Sequence, residues 1–315
     1  MNDADIESPA KAADANIPDG THKGCRYKST GVQETSSPFF IALPRDGALP
    51  IVLDSPHSGF TLPDDFDTSA PRDALLSSRD AFVEQLWGGA PQRGATLIGA
   101  HFPRAYIDPN RALSDIDTEL LATPWPGEIV PQTYSARGMG LIRRTALPGV
   151  PMYQRKLGIA EVQHRIDAYY LPYRQALAAQ IDQAWQRAGR VWHIDCHSMK
   201  SQGNAMNIDA GRARPDIVVS DRCGTSADPA FTAWAAGCLR GYGYRVTIND
   251  PYQGGDIIRQ TGAPKDGRHS IQIEINRALY MNETTFEKHD GFGILRGHLD
   301  TFLDALAGFV RRQIQ

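Results

Sequence analysis

Four short runs in this chain, each with the look of a strand, end in clusters of polar residues, and this alternation limits the fold more than any other feature. Val191-Trp192-His193-Ile194 leads into Asp195-Cys196-His197-Ser198-Met199. Leu49-Pro50-Ile51-Val52-Leu53 leads into Asp54-Ser55-Pro56-His57-Ser58-Gly59. Arg104 to Asp108 leads into Pro109-Asn110-Arg111, and Ser270-Ile271-Gln272-Ile273 into Glu274-Ile275-Asn276-Arg277. Short apolar runs of this kind read as strands inside a sheet covered on both sides.

Helical patterns lie between the runs. Arg79–Trp87 places Phe82, Val83, Leu86 and Trp87 on one stripe before Gly88-Gly89. Ile159–Arg187 repeats Tyr173, Leu177, Ile181 and Trp185, with a break or kink expected at Pro172. Asp228 and Pro229 open a helix with Phe231, Trp234, Cys238 and Leu239 on its inner face. Leu295, Leu299, Phe302, Leu306 and Phe309 stripe a last helix over Gly293–Arg312. Further strands are expected at Ala95–His101, Asp216–Ser220 and Tyr244–Ile248. Strands alternating with helices predict an α/β fold, a mixed and mostly parallel sheet flanked by helices. Without a linker after residue 40, the chain reads as one domain over 39–315. Residues 1–38, poor in large apolar side chains, read as a flexible leader.

Composition removes several classes of function. A net charge of −3 gives no polyelectrolyte argument for nucleic acid or an anionic membrane. No apolar run approaches the roughly 20 residues of a membrane span. The N-terminus lacks the apolar centre of a signal peptide. Cys25, Cys196, Cys223 and Cys238 form no CxxC pair or disulfide framework, so reduced thiols and a cytoplasmic location are expected. Neither GxGxxG nor GxxxxGK[ST] follows a strand, which argues against a nucleotide fold.

Strand ends in a parallel sheet converge on one edge, so the polar clusters can meet. Two histidines, a carboxylate and an open position make a catalytic zinc site. His57 and His197 are the candidate nitrogens. No HExxH or HxxE motif is present, since Phe60 stands three residues after His57. The carboxylate must come from Asp80 or Glu84 on the following helix, with Asp80 preferred for its place at the helix start. Asp195 either orients a metal histidine or caps backbone amides at its strand end. The long loop Ser114–Pro151 carries Arg143 and Arg144 after Gly140, two cations able to reach an acidic ligand.

The chain resembles the N-formylglutamate amidohydrolases from about residue 40 to the final helix. The runs that carry the resemblance are Asp54–Gly59, Ser78-Arg79-Asp80, Asp108–Arg111, Asp195–Met199, Pro251-Tyr252-Gln253-Gly254-Gly255 and Ile273–Met281. That family is distantly similar to aspartoacylase and the zinc carboxypeptidases, which implies a phosphorylase/hydrolase-like sheet and one Zn2+ per chain. It implies His57, Asp80 and His197 as metal ligands and Glu274 as the catalytic base. Asn110 and Arg111 would grip a substrate carboxylate, with Arg143, Arg144 and Arg277 as further substrate-binding candidates. The implied reaction is hydrolysis of N-formyl-L-glutamate in histidine breakdown, with a small acidic N-acyl amino acid as the partner. Two alternatives remain: a zinc amidohydrolase for another N-acyl amino acid or small peptide, and a non-catalytic binding protein on the same scaffold.

Overall fold

The structure, a computed structural model, describes residues 37–315. The expected leader over 1–38 therefore lies almost wholly outside the described residues, as does Cys25.

Nine strands occur among the described residues: β1 (Phe39–Ala42), β2 (Ile51–Ser55), β3 (Thr96–Ala100), β4 (Thr145–Leu147), β5 (Val150–Pro151), β6 (Val191–Met199), β7 (Ile217–Ser220), β8 (Val246–Ile248) and β9 (Arg268–Asn276). The helices are α1 (Arg72–Ser78), α2 (Val83–Leu86), α3 (Ile159–Arg165), α4 (Leu171–Ala188), α5 (Pro229–Gly241), α6 (Asp256–Thr261) and α7 (Gly291–Gln313). Seven strands form one sheet in the order β1-β3-β2-β6-β9-β7-β8, while β4 and β5 make a separate hairpin. The central strands β3, β2, β6 and β9 are parallel. β1 and β7 pair antiparallel to their inner neighbours. The sheet is thus mixed and mostly parallel, as the alternation of strands and helices predicts.

Ile51, Leu53, Trp192, Ile194, Cys196, Ile271, Ile273 and Ile275 pack on one side with α5 and α7 residues such as Phe231, Leu239, Leu299 and Phe302. Val52, Ile98 and Val191 pack on the other side with Tyr173, Leu177 and Ile181 of α4. Local signals act as expected at the α5 start, where the Asp228 carboxylate accepts a 2.8 Å hydrogen bond from the Ala230 N–H. Gly189, at φ 67°, closes α4 in the left-handed region that glycine tolerates.

Three expectations are corrected. The helix expected over Arg79–Trp87 contracts to α2, because Phe82 takes a left-handed φ of 65° and the Asp80 N–H turns to donate to the His57 carbonyl at 3.1 Å. Arg104–Asp108 forms turns rather than a strand, with the Tyr106 N–H bonded to the Pro103 carbonyl. Pro172 does not break its helix: a π turn over Ile166–Tyr170 precedes it, and the chain remains helical on both sides.

Candidate metal centre and active site

Sheet pleating sorts the central strands into two faces. Asp54, His193, Asp195, His197, Ser270, Gln272 and Glu274 all point away from the isoleucine face. In register, Asp54 pairs with Asp195 and His197 with Glu274. All seven of these side chains lie on one face of the sheet, with His197 and Glu274 toward the carboxyl ends of β6 and β9 and His193 and Ser270 toward their amino ends.

His57 stands two residues beyond β2, and Asp80 lies in the turn between α1 and α2. Asp80 Oδ2 is 3.0 Å from His197 Nδ1 and 3.6 Å from His57 Nδ1. It also accepts from the Ser198 N–H at 3.2 Å. One ligand atom from each of His57, Asp80 and His197 lies within 4.8 Å of the others, and all three residues are buried. Glu84, the other carboxylate weighed from sequence, is not part of this group.

Each imidazole is held from behind. His57 Nε2 meets Asp108 Oδ1 at 2.7 Å, and Arg104 donates to Asp108 Oδ2 through Nε at 3.1 Å and Nη2 at 2.7 Å. Burial opposes the charged form of Asp108, but Arg104 and His57 outweigh it and hold its pKa well below the ordinary range. His197 Nε2 lies 2.7 Å from Asp195 Oδ1 and 2.9 Å from Asn110 Nδ2. Asn110 Nδ2 also donates to Asp195 Oδ2 at 2.9 Å, while its Oδ1 accepts from the Ile257 N–H at 2.8 Å. Burial pushes the His57 pKa down. For His197, burial is outweighed by Asp195 and Asp80, which raise its pKa well above the ordinary value. Asp80 is held well below its ordinary pKa, because bonds from His197 and His57 and the charge of Arg277 overcome its burial.

This donor set fits a zinc ion. His57 Nε2 faces a carboxylate, which leaves Nδ1 turned inward, and that atom is buried with no hydrogen-bond partner. Two imidazole nitrogens and one carboxylate oxygen, backed by carboxylates on the far ring nitrogens, are the ligands and supports zinc uses. His57, Asp80 and His197 all line an open cavity of about 790 Å³. Glu274 lines it as well. The Gln272 amide nitrogen donates to Glu274 Oε1 at 2.9 Å, and the Gln272 amide oxygen accepts from the Gly255 N–H at 2.8 Å. Burial raises the Glu274 pKa, partly countered by His197. Gly255 has to be glycine here, since a Cβ would sit 2.3 Å from Asn110 Oδ1.

The arginines divide. Arg111 and Arg143 line the cavity and have no carboxylate within ion-pair distance among the described residues. Arg111 donates only to the Met139 and Asn110 carbonyls and lies 4.7 Å over the Tyr134 ring. Arg143 is buried, its Nε has no partner, and burial with the nearby Arg104 pushes its pKa down. Arg277 lines the cavity but is engaged by Asp80 Oδ1 at 2.8 Å and the Ser77 carbonyl at 2.8 Å. Arg144 leaves the cavity wall and pairs with Asp117 at 2.6 Å and Glu119 at 3.0 Å. The structure therefore moves Arg144 away from the site, and gives Asn110 and Arg277 the task of holding His197 and Asp80. Sequence reasoning missed Asp108, Arg104 and Gln272 as supports. Asp108 had a visible signal in its Asp-Pro-Asn-Arg cluster, and Gln272 in its strand alternation with Glu274.

Below the site, Ser270 Oγ lies 2.6 Å from His193 Nδ1, and His193 Nε2 lies 2.9 Å from Asp54 Oδ1. The order matches a serine-hydrolase triad, but Ser270 is fully buried and bonded to Thr261, so no substrate reaches its hydroxyl. Tyr173 donates to Asp54 Oδ2 at 2.8 Å and closes this interior chain.

Fold and site together define an α/β protein of the hydrolase class, with a His-Asp-His group and a carboxylate at the carboxyl edge of its sheet. The family model described as N-formylglutamate amidohydrolase matches residues 49–281. The chain belongs to the N-formylglutamate amidohydrolase family. It is similar to the crystal structure of N-formylglutamate amidohydrolase from Ralstonia eutropha JMP134, at 44% identity and a TM-score of 0.84 over 88% of this chain and 100% of that one. It is 28% identical over 241 residues to the N-formylglutamate deformylase of Pseudomonas aeruginosa, covering 75% of this chain and 84% of the relative. A gene product from Agrobacterium tumefaciens, 21% identical with a TM-score of 0.56, covers 88% of this chain and 96% of that one and shares the fold.

Proposed function

We propose that this chain hydrolyses N-formyl-L-glutamate to L-glutamate and formate, with one zinc ion held by His57, Asp80 and His197. The reading places the enzyme in histidine degradation in the cytoplasm. Among the described residues no helix is long and apolar enough to cross a membrane. The observation that carries the reading is the unpartnered His57 Nδ1, facing Asp80 and His197 beside the half-buried Glu274.

Zinc held there supplies the Lewis acidity that polarises a formyl carbonyl and makes water acidic near neutral pH. Glu274 removes a proton from the attacking water, with Gln272 fixing the carboxylate in place. As the C–N bond breaks, Glu274 returns that proton to the departing amine nitrogen. Asp108 and Asp195 hold the two imidazoles with their outer nitrogens occupied, and Arg277 holds Asp80. Arg111 and Arg143 receive substrate carboxylate, for which planar guanidinium groups are suited.

One observation favours a second reading, a zinc amidohydrolase for another N-acyl amino acid or a small peptide. The cavity of about 790 Å³ is of the size that takes drug-sized ligands, whereas formylglutamate has only about a dozen non-hydrogen atoms. A panel of formyl-, acetyl- and formimino-amino acids, assayed after chelation and after zinc is restored, separates the readings. Formylglutamate turnover that disappears on chelation and returns with zinc is expected. Undiminished turnover in metal-free protein would sink both.

A further inference from the structure

Two cations on the cavity wall, one buried and one half-buried, have no carboxylate within ion-pair distance among the described residues. Arg143 is one. Lys200, just beyond β6, is the other: it lines the same cavity, and its ammonium donates only to the Ser77 hydroxyl. None of the ion pairs among the described residues includes either side chain. Arg143, Arg214 and Arg277 stand near enough to Lys200 to disfavour its charge, and burial with the Arg277 charge brings its pKa down to about 8. Arg214 and Arg277 already have their carboxylates, Asp209 at 2.7 Å and Asp80 at 2.8 Å. Arg143 and Lys200 do not. Burying cations without counter-charge is costly, and a bound anion would relieve it.

The two cations also differ in placement. Arg143 stands toward Arg104 and Arg111, on the side of Asp108 and the metal-ligand group. Lys200 stands toward Arg214 and Glu283 and also lines a second, smaller cavity of about 200 Å³ with Ser201, Met281 and Phe286. Lys200 nonetheless stands near enough to Arg143 for the two charges to repel, so one carboxylate can lie between them, and a second acidic end is needed to reach Arg111.

We propose that Lys200 determines specificity by receiving, together with Arg143, the side-chain carboxylate of a dicarboxylic N-acyl amino acid, while Arg111 receives the other carboxylate. This rests on the hydrolase reading given above. It assigns to Lys200 the discrimination between a glutamyl and a glutaminyl substrate. An ammonium rewards a carboxylate and gains little from a neutral amide.

The test compares kcat/KM for N-formylglutamate and N-formylglutamine in wild type, Lys200→Met and Lys200→Arg. In Lys200→Met the preference for formylglutamate should fall about tenfold or more. The fall should come through KM, with formylglutamine turnover little changed, and Lys200→Arg should restore most of the preference. A preference that stays within about twofold of wild type in Lys200→Met, or an equal loss on both substrates, would overturn the assignment. Calorimetric titration of glutarate and butyrate into the same proteins keeps the two readings apart. Weaker glutarate binding in Lys200→Met, with butyrate unchanged, supports the subsite even if no formyl amino acid is hydrolysed. Equal glutarate binding in wild type and Lys200→Met overturns it.

Discussion

The same strands β2, β6 and β9 present two faces that could hardly differ more. One carries Leu53, Trp192, Ile194, Ile271, Ile273 and Ile275 into an apolar layer beneath α5 and α7. The other carries Asp54, His193, Asp195, His197, Ser270, Gln272 and Glu274, all but Glu274 nearly or fully buried. Burying the apolar face stabilises the fold at roughly 25 cal/mol per Å². The polar face is tolerated because almost every group has a partner: Tyr173 for Asp54, Asn110 for Asp195, Gly255 for Gln272. The exceptions are informative. Among the buried polar atoms without a hydrogen-bond partner are His57 Nδ1 and Arg143 Nε at the cavity, where a cation and an anion are expected to bind. Apolar packing thus lies on both sides of the pleated layer, while the candidate chemistry is confined to one.

The separation predicts effects that fall on one side or the other. The largest belongs to Glu274→Gln, which should lower kcat by about 10² to 10⁴ and leave the thermal midpoint nearly unchanged. In the metal-free chain burial raises the Glu274 pKa, so in the chelated protein its carboxyl resonance should titrate above the ordinary glutamate range by carbon NMR. A resonance that titrates at or below that range would contradict this. Next is Ile273→Ala, two strand positions from Ile271 on the apolar face. It should cost about 2–5 kcal/mol of folding stability, read by urea titration, with kcat per folded molecule preserved. A large fall in kcat there would blur the two-face distinction. Asp108→Asn should weaken zinc affinity by about 10- to 100-fold, measured by competition with a chelator, with a smaller effect on folding. Arg111→Ala should raise KM for acidic substrates while changing it little for a neutral formyl amino acid, and equal changes would remove Arg111 from carboxylate recognition.

Much of this arrangement is legible in the sequence, for a physical reason. Strands buried on both sides are mostly apolar, so a run such as Val191–Ile194 stands out, and polar residues beside it point to the strand end where a parallel sheet gathers its ligands. His57, His197 and Glu274 are visible in this way. The sequence pattern puts Asp80 in a helix, yet it sits in a turn whose shape depends on a left-handed Phe82 and on a bond to the His57 carbonyl, neither of which leaves a local pattern. The short helices α1 and α6 have too few residues to show a period. The division of labour among the arginines is hidden for a different reason. Whether Arg143 faces a cavity while its neighbour Arg144 pairs with Asp117 is decided by loop geometry, and both read alike as surface cations. Asn110 likewise reads as half of a carboxylate grip, whereas its amide is locked between Asp195 and Ile257.

The central claim is that His57, Asp80 and His197 hold zinc and that Glu274 works beside them without holding it. The most direct measurement is zinc content per chain, by elemental analysis after dialysis against trace zinc, in His57→Ala, His197→Ala and Glu274→Gln. The two histidine variants are expected to lose most of their zinc while Glu274→Gln keeps about one ion per chain. Histidine variants that retain a full ion, or a Glu274→Gln protein that loses it, would contradict the account.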